Sequence, residues 1–332
     1  LHGFQHPPGD GNGSNDDEMM KHLLFLFMCT STAILGQEVI SPLILNEYQE
    51  VTSYDQLSGF AEQLDSSSGL LTTEVIGRSV EGRNIYAFLF SNDVFGEDDS
   101  KAKVLLFAQQ HGNEQSGKEG ALLLAQSLIR PENSYLFEKI DLAIIPQVNP
   151  DGSEKNQRRN LNDADLNRNH LTLTEPETAA LHQFFDRYLF EVTMDVHEYY
   201  PYSESWLKYG YRKNSDVKVG TLTNINVSEK IRKFSEEQYL PYIFNYLGER
   251  GFSAFEYCPG GPPEEHYMRK STFDINDGRQ SLGIQNTLSF IQEGMNGEDN
   301  YVQNIASRAN GQMTGMMGLL VFVHQNSETI KR

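Results

Sequence analysis

The strongest constraint on this chain is a junction. An unbroken apolar run, Val104-Leu105-Leu106-Phe107-Ala108, is followed closely by His111-Gly112-Asn113-Glu114 and then by a helical pattern from Gln115 to about Ile129, with Ala121, Leu122, Leu124, Ala125 and Leu128 on its apolar side. The run predicts a buried strand, and strand, loop and helix in that order predict a βαβ-type sheet with polar residues at its C-terminal edge. The motif repeats: residues 190–194 lead into Asp195-Val196-His197, and the run 287–291 delivers Gln292-Glu293. A neutral imidazole and a carboxylate on one loop can both turn toward a single cation, and His197 supplies a third ligand. Zinc suits such a set, because its catalytic sites commonly take two His and one Glu and keep a fourth position for water. An H-x-x-E pair alone is better explained as a polar loop with a capping Glu, so the weight rests on the second segment.

With 332 residues, 38% of them hydrophobic and 11% aromatic, the chain can bury one large core without a second domain. Its formal net charge of −19 argues against nucleic acid or an anionic membrane surface as partner, since both require clustered Lys and Arg. Residues 1–18 are rich in Gly, Asn, Asp and Pro and are expected to be disordered or upstream sequence. Residues 19–36 carry a charged start, a short apolar middle and a small-residue exit, the pattern of a signal peptide for secretion or periplasmic export. That run is too short for a comfortable membrane span, and no stable membrane association is expected. The two cysteines, Cys29 and Cys258, leave the mature chain one thiol and no internal disulfide. Residues 37–332 then read as a single domain, and the absence of a terminating signal before Arg332 reads as a truncated C-terminal end.

Along the chain, a helix is predicted over residues 53–64 and two strands over residues 72–91 around the turn Val80-Glu81-Gly82-Arg83. A strand over residues 140–146 ends in the turn signal Asn149-Pro150-Asp151-Gly152. The stretch from Arg158 to Asn169 is so dense in Arg and Asn that it reads as a solvated loop, although Arg is also the side chain best fitted to grip a carboxylate or an oxyanion. Glu175-Pro176-Glu177 opens a helix to about Tyr188. Residues 199–225 read as long loops at the rim of a site, residues 228–247 as a helix, Pro259 to Pro263 as a firm break, and the tail as helices over 300–309 and 313–323.

Taken as an ordered set, these segments resemble the zinc metallocarboxypeptidases of the carboxypeptidase A type. The matching pieces are Ile76 to Arg83, His111-Gly-Asn-Glu114, Asn149-Pro-Asp-Gly152, the run Arg158 to Asn169 with Asp165-Leu-Asn-Arg-Asn169, Glu175-Pro-Glu-Thr178, His197 and Glu293. The resemblance implies an α/β fold, a mixed, mostly parallel eight-stranded twisted sheet flanked by helices. It implies one zinc on His111, Glu114 and His197, with Asp165 orienting His111. It implies that Asn167 and Arg168 bind the free C-terminal carboxylate of a peptide or protein substrate, that Arg158 faces the scissile carbonyl, and that Glu293 is the general base. Arg159 is assigned to solvent. The family's mobile tyrosine has Tyr267 as its nearest candidate. Two departures stand out: Glu198 where the family has a small residue, and Asp163-Ala164 in place of its Gly-Val. Residues 274–283, expected to line the specificity pocket, hold Asp274, Asp277 and Arg279 together, which leaves the preferred side chain open. Two further readings are a zinc amidohydrolase acting on cell-wall peptides or side-chain amides, and an inactive binding module on the same fold.

Overall fold

The computed structural model describes Gly3, residues 39–297 and residues 302–332. The expected disordered segment (all but Gly3) and the signal peptide with Cys29 lie outside the described residues. The strands are β1 (Leu71–Arg78), β2 (Asn84–Phe90), β3 (Ala102–Ala108), β4 (Ile140–Ile145), β5 (Val192–Tyr199), β6 (Val217–Gly220), β7 (Ala254–Glu256) and β8 (Leu288–Met295). They form one sheet in the order β1-β2-β4-β3-β5-β8-β6-β7. The central strands β4, β3, β5 and β8 run parallel, as do β6 and β7, while β1, β2 and the β6–β8 pairing are antiparallel.

The central strands are apolar throughout because both faces are covered. Along β3, Val104, Leu106 and Ala108 enter one core and Leu105 and Phe107 the other, the two-residue period of a pleated strand. The helices are α1 (Pro42–Leu45), α2 (Tyr54–Ser67), α3 (Gln115–Leu128), α4 (Pro150–Glu154), α5 (Pro176–Tyr188), α6 (Glu204–Leu207), α7 (Glu229–Phe234), α8 (Leu240–Gly248), α9 (Gly278–Gly283) and α10 (Ile305–Ile330). Residues of α2, α3, α8 and α10 fill the first core, and Ala180, Leu181, Phe184 and Phe185 of α5 fill the second. The start of α2 is fixed by a capping box in which Ser53 and Gln56 exchange side-chain and backbone hydrogen bonds.

The structure departs from expectation in four places. Residues 199–225 are not loop alone: they contain α6 and β6. The helix over 228–247 is interrupted by a π turn, Ser235–Tyr239, where Pro241 withholds a donor and crowds the carbonyl four residues before it. The tail is one helix of 26 residues. The Arg- and Asn-rich stretch is not wholly solvated, since Asn160, Leu166, Asn167 and Asn169 are buried. Their burial is tolerable because the amides are satisfied; Asn160 donates to Glu175 and Glu177 and accepts from the backbone of Asn162 and Ala164.

Candidate metal centre

The site stands where β3, β5 and β8 end. After Ala108 the chain turns through Gln109, which holds the left-handed φ of 56°. That conformation is secured by its buried amide, which donates to the Gly112 carbonyl and the Ser153 hydroxyl. Gly112 is required beside it, because a Cβ there would collide with the backbone of Gly152. Asp151, from the same turn-like segment, accepts hydrogen bonds from Ser79, the Glu81 backbone and Arg83. The pieces Ile76 to Arg83 and Asn149 to Gly152 are thus a scaffold that fixes the His111 loop from beneath.

His111, Glu114 and His197 converge, with one potential ligand atom from each within 4.8 Å of the others. All three side chains are buried. Nδ1 of His111 lies 2.8 Å from Glu114 Oε1, Nδ1 of His197 lies 2.8 Å from Glu114 Oε2, and the two Nδ1 atoms are 3.1 Å apart. The outer nitrogens face carboxylates: Nε2 of His111 is 3.1 Å from Asp165 and Nε2 of His197 is 2.8 Å from Asp195. An imidazole that donates Nε2–H to a carboxylate presents a lone pair at Nδ1. Two lone pairs and two carboxylate oxygens then face one another, an arrangement that only a cation makes favourable.

The electrostatics agree. Burial works to raise the Glu114 carboxyl, but His111 and His197 outweigh it and hold it well below the carboxylate range. Burial alone would lower His197, whereas Asp195 and Glu114 raise it well above its ordinary value, so in the absence of metal a proton takes the cation's place. Asp165 is likewise held low against burial by His111 and Arg158. The donor set and its carboxylate partners fit zinc.

Glu293 is brought alongside by the sheet. It is the register partner of His197 across the parallel β5–β8 pairing, so the two side chains leave the same face of adjacent strands. Burial pushes its carboxyl up to about 7; His197 opposes that rise and Glu114 adds to it. A cavity of roughly 400 Å³ joins His111, Glu114, His197 and Glu293 to Arg158, Asn167 and Arg168. Arg158 reaches His111 Nδ1 at 3.2 Å and grips Asp165 at 3.1 and 3.2 Å. Asn167 is oriented by the Gly278 backbone, which donates to its Oδ1 at 2.8 Å. Arg159 instead turns to the Asp163 carbonyl, away from the cavity.

Tyr267 is not brought to the site. It is 84% exposed and outside the cavity lining, to which the fold brings Tyr199, Tyr200 and Tyr257. Both departures have physical reasons. Asp163 adopts a φ of 59°, the left-handed geometry that Gly would supply. Glu198 points along the base of the site, accepting from Ser116 in the first turn of α3 and from Arg308 of α10. Asp195 is a partner the family motifs do not point to; its signal in the sequence is the two-residue spacing from His197, which puts both on one face of β5. It is held in turn by Gln110 at 2.8 and 2.9 Å.

The chain is similar to carboxypeptidase 2 of Trichophyton rubrum, with 26% identity over 250 residues, 73% of this chain and 46% of the relative. It thus spans about half the length of these curated relatives. Among solved structures it is similar to a metallo-carboxypeptidase from Burkholderia cenocepacia, with TM-score 0.64 and 19% identity, covering 84% of this chain and 71% of that one. A metallo-carboxypeptidase from Pseudomonas aeruginosa in complex with (2-guanidinoethylmercapto)succinic acid aligns with TM-score 0.63 and 22% identity, covering 85% and 71%. These structures share its fold, the mixed eight-stranded sheet flanked by helices. The sequence profile of the zinc carboxypeptidases matches residues 58–257, more than half of the chain, and the chain belongs to that family.

Proposed function

We propose that this chain is a zinc metallocarboxypeptidase that hydrolyses the C-terminal peptide bond of peptides or proteins, with Glu293 as general base. The observation that carries this reading is the register pairing of Glu293 with His197, which sets a proton-accepting carboxylate on the strand beside a ligand of the metal cluster. His111, Glu114 and His197 would hold the zinc, which would supply Lewis acidity and lower the pKa of water to about 7.

The chain's own residues do the rest. Arg168 and the Asn167 amide, both on the cavity wall, receive the free carboxylate of the substrate. That contact makes the enzyme an exopeptidase and fixes which bond lies over the metal cluster. Arg158 meets the negative charge that develops on the scissile carbonyl oxygen, a contribution of roughly 3 kcal/mol for a well-placed donor. The Glu293 carboxylate takes one proton from the attacking water and delivers it to the departing amine nitrogen, and so ends the cycle ionised.

The test is a library of C-terminally varied peptides read by mass spectrometry with zinc-loaded protein. Stepwise loss of the last residue is expected, and loss of that reaction when the terminal carboxylate is amidated. Cleavage that persists on amidated peptides would transfer the assignment to a side-chain or cell-wall amidohydrolase. The pattern over residues 19–36 supports secretion or periplasmic export, which N-terminal sequencing of the exported protein would check. No helix among the described residues is long and apolar enough to cross a membrane.

A further inference from the structure

In a chain of net charge −19, the cavity beside the metal cluster is lined by six cationic side chains: Arg158, Arg168, Lys213, Lys218, Arg269 and Arg279. Four carboxylates line it too, but Glu114 belongs to the metal cluster, Glu293 to proton transfer, and Glu198 is taken up by Arg308. One carboxylate in the substrate, already assigned to Asn167 and Arg168, does not account for the cations that remain.

Arg279 is the decisive residue. It is 2% exposed, and among the described residues neither its Nε nor its Nη1 has a hydrogen-bond partner. Its Nη2 donates to the Ser271 hydroxyl, and the guanidinium carbon lies 5.4 Å from the centre of the Tyr257 ring. Among the described residues no carboxylate lies within ion-pair distance of it. Asp277, the neighbouring acid, spends Oδ1 on capping α9 through the Gln280 backbone at 2.8 Å. Gly220 keeps the space open on the other side, since a Cβ there would press on Nη1. A buried guanidinium with two idle donors on a cavity wall is matched by an anion with two acceptor oxygens.

We infer that Arg279 sets the specificity of this site, seating the side-chain carboxylate of a substrate whose last residue is Glu or Asp, with Lys218 beside the same wall. This rests on the carboxypeptidase reading and supplies its substrate class: acidic C termini. Lys218 fits that role, because it is buried on β6 with its ammonium over the Tyr199 ring and, among the described residues, without a carboxylate of its own at ion-pair distance.

The experiment compares zinc-loaded protein on matched peptides ending in Glu, Asp, Leu and Lys. Glu or Asp is expected to exceed Leu and Lys by about tenfold or more in kcat/KM. In Arg279→Met that ratio should fall by at least about tenfold, while Arg279→Lys should retain part of it; thermal unfolding of each variant reports whether it folds. A wild-type preference for Leu or Lys, or a loss in Arg279→Met that is equal for all substrates in a folded protein, overturns the assignment. Calorimetric binding of free glutamate against leucine to the wild-type protein separates the two hypotheses. If no peptide is cleaved yet glutamate binds at least about tenfold more tightly, the pocket assignment stands and the carboxypeptidase reading fails. Equal binding of the two overturns the pocket assignment whatever the turnover.

Discussion

The metal cluster and the wall that faces it are built in opposite ways. His111, Glu114, His197 and Glu293 sit on or just beyond long central strands, where pleat and register decide where each side chain points, and Asp165 and Asp195 lock the two imidazoles. The facing wall is drawn from Lys218 of β6, a strand of four residues, from largely irregular chain between residues 199 and 277, and from Arg279 in the first turn of α9. On the proposed reading, reaction chemistry is held by regular hydrogen-bonded structure, and selectivity mostly by short elements and loops at its margin.

That contrast can be broken experimentally. The largest effect should come from stripping zinc with a chelator: turnover should fall to background and return on adding zinc, and turnover that survives would separate the cluster from the chemistry. Glu293→Gln comes next. It should cost about 10²–10⁴ in kcat with one zinc still bound by elemental analysis; loss of the metal as well would make Glu293 part of the cluster's support. Asp195→Ala should weaken zinc about 10–100-fold in chelator competition, because the His197 ring loses the partner that fixes its tautomer. The pH profile sharpens the same division. Glu293 must be ionised to accept a proton, so kcat/KM should fall as pH drops through the Glu293 pKa, raised by burial to about 7 and drawn lower by the charge of bound zinc. Smallest is Tyr267→Phe, on a side chain 84% exposed outside the cavity. It should change KM and kcat by no more than about twofold, in line with the roughly 0.5 kcal/mol typical of surface substitutions.

The same contrast governs how much could be read from the sequence. Runs such as Val104 to Ala108 announce themselves because a strand covered on both faces must be apolar at every position, and the polar residues that follow it then fall at the strand ends. The convergence of His111, Glu114 and His197 was legible for that reason. β6 was not, because its four residues, Val217-Lys218-Val219-Gly220, place a Lys and a Gly in a strand that is buried throughout. β7 is too short to show a period at all. The buried role of Asn160 and Asn169 was hidden for a different reason: an amide is buried only when its partners are at hand, and those partners, Glu175, Glu177 and Thr178, come from the next helix.

α10 follows every residue of the metal cluster along the chain, yet it reaches back to the cluster's foundations. Gln312 donates to the His197 carbonyl at 2.7 Å, and Arg308, one turn earlier on the helix, holds Glu198 at 2.8 and 3.0 Å. During synthesis these braces are missing until residues 305–330 have emerged from the ribosome. A chain released only as far as Glu293 thus holds all three ligands and the neighbouring carboxylate but lacks the braces under His197 and Glu198.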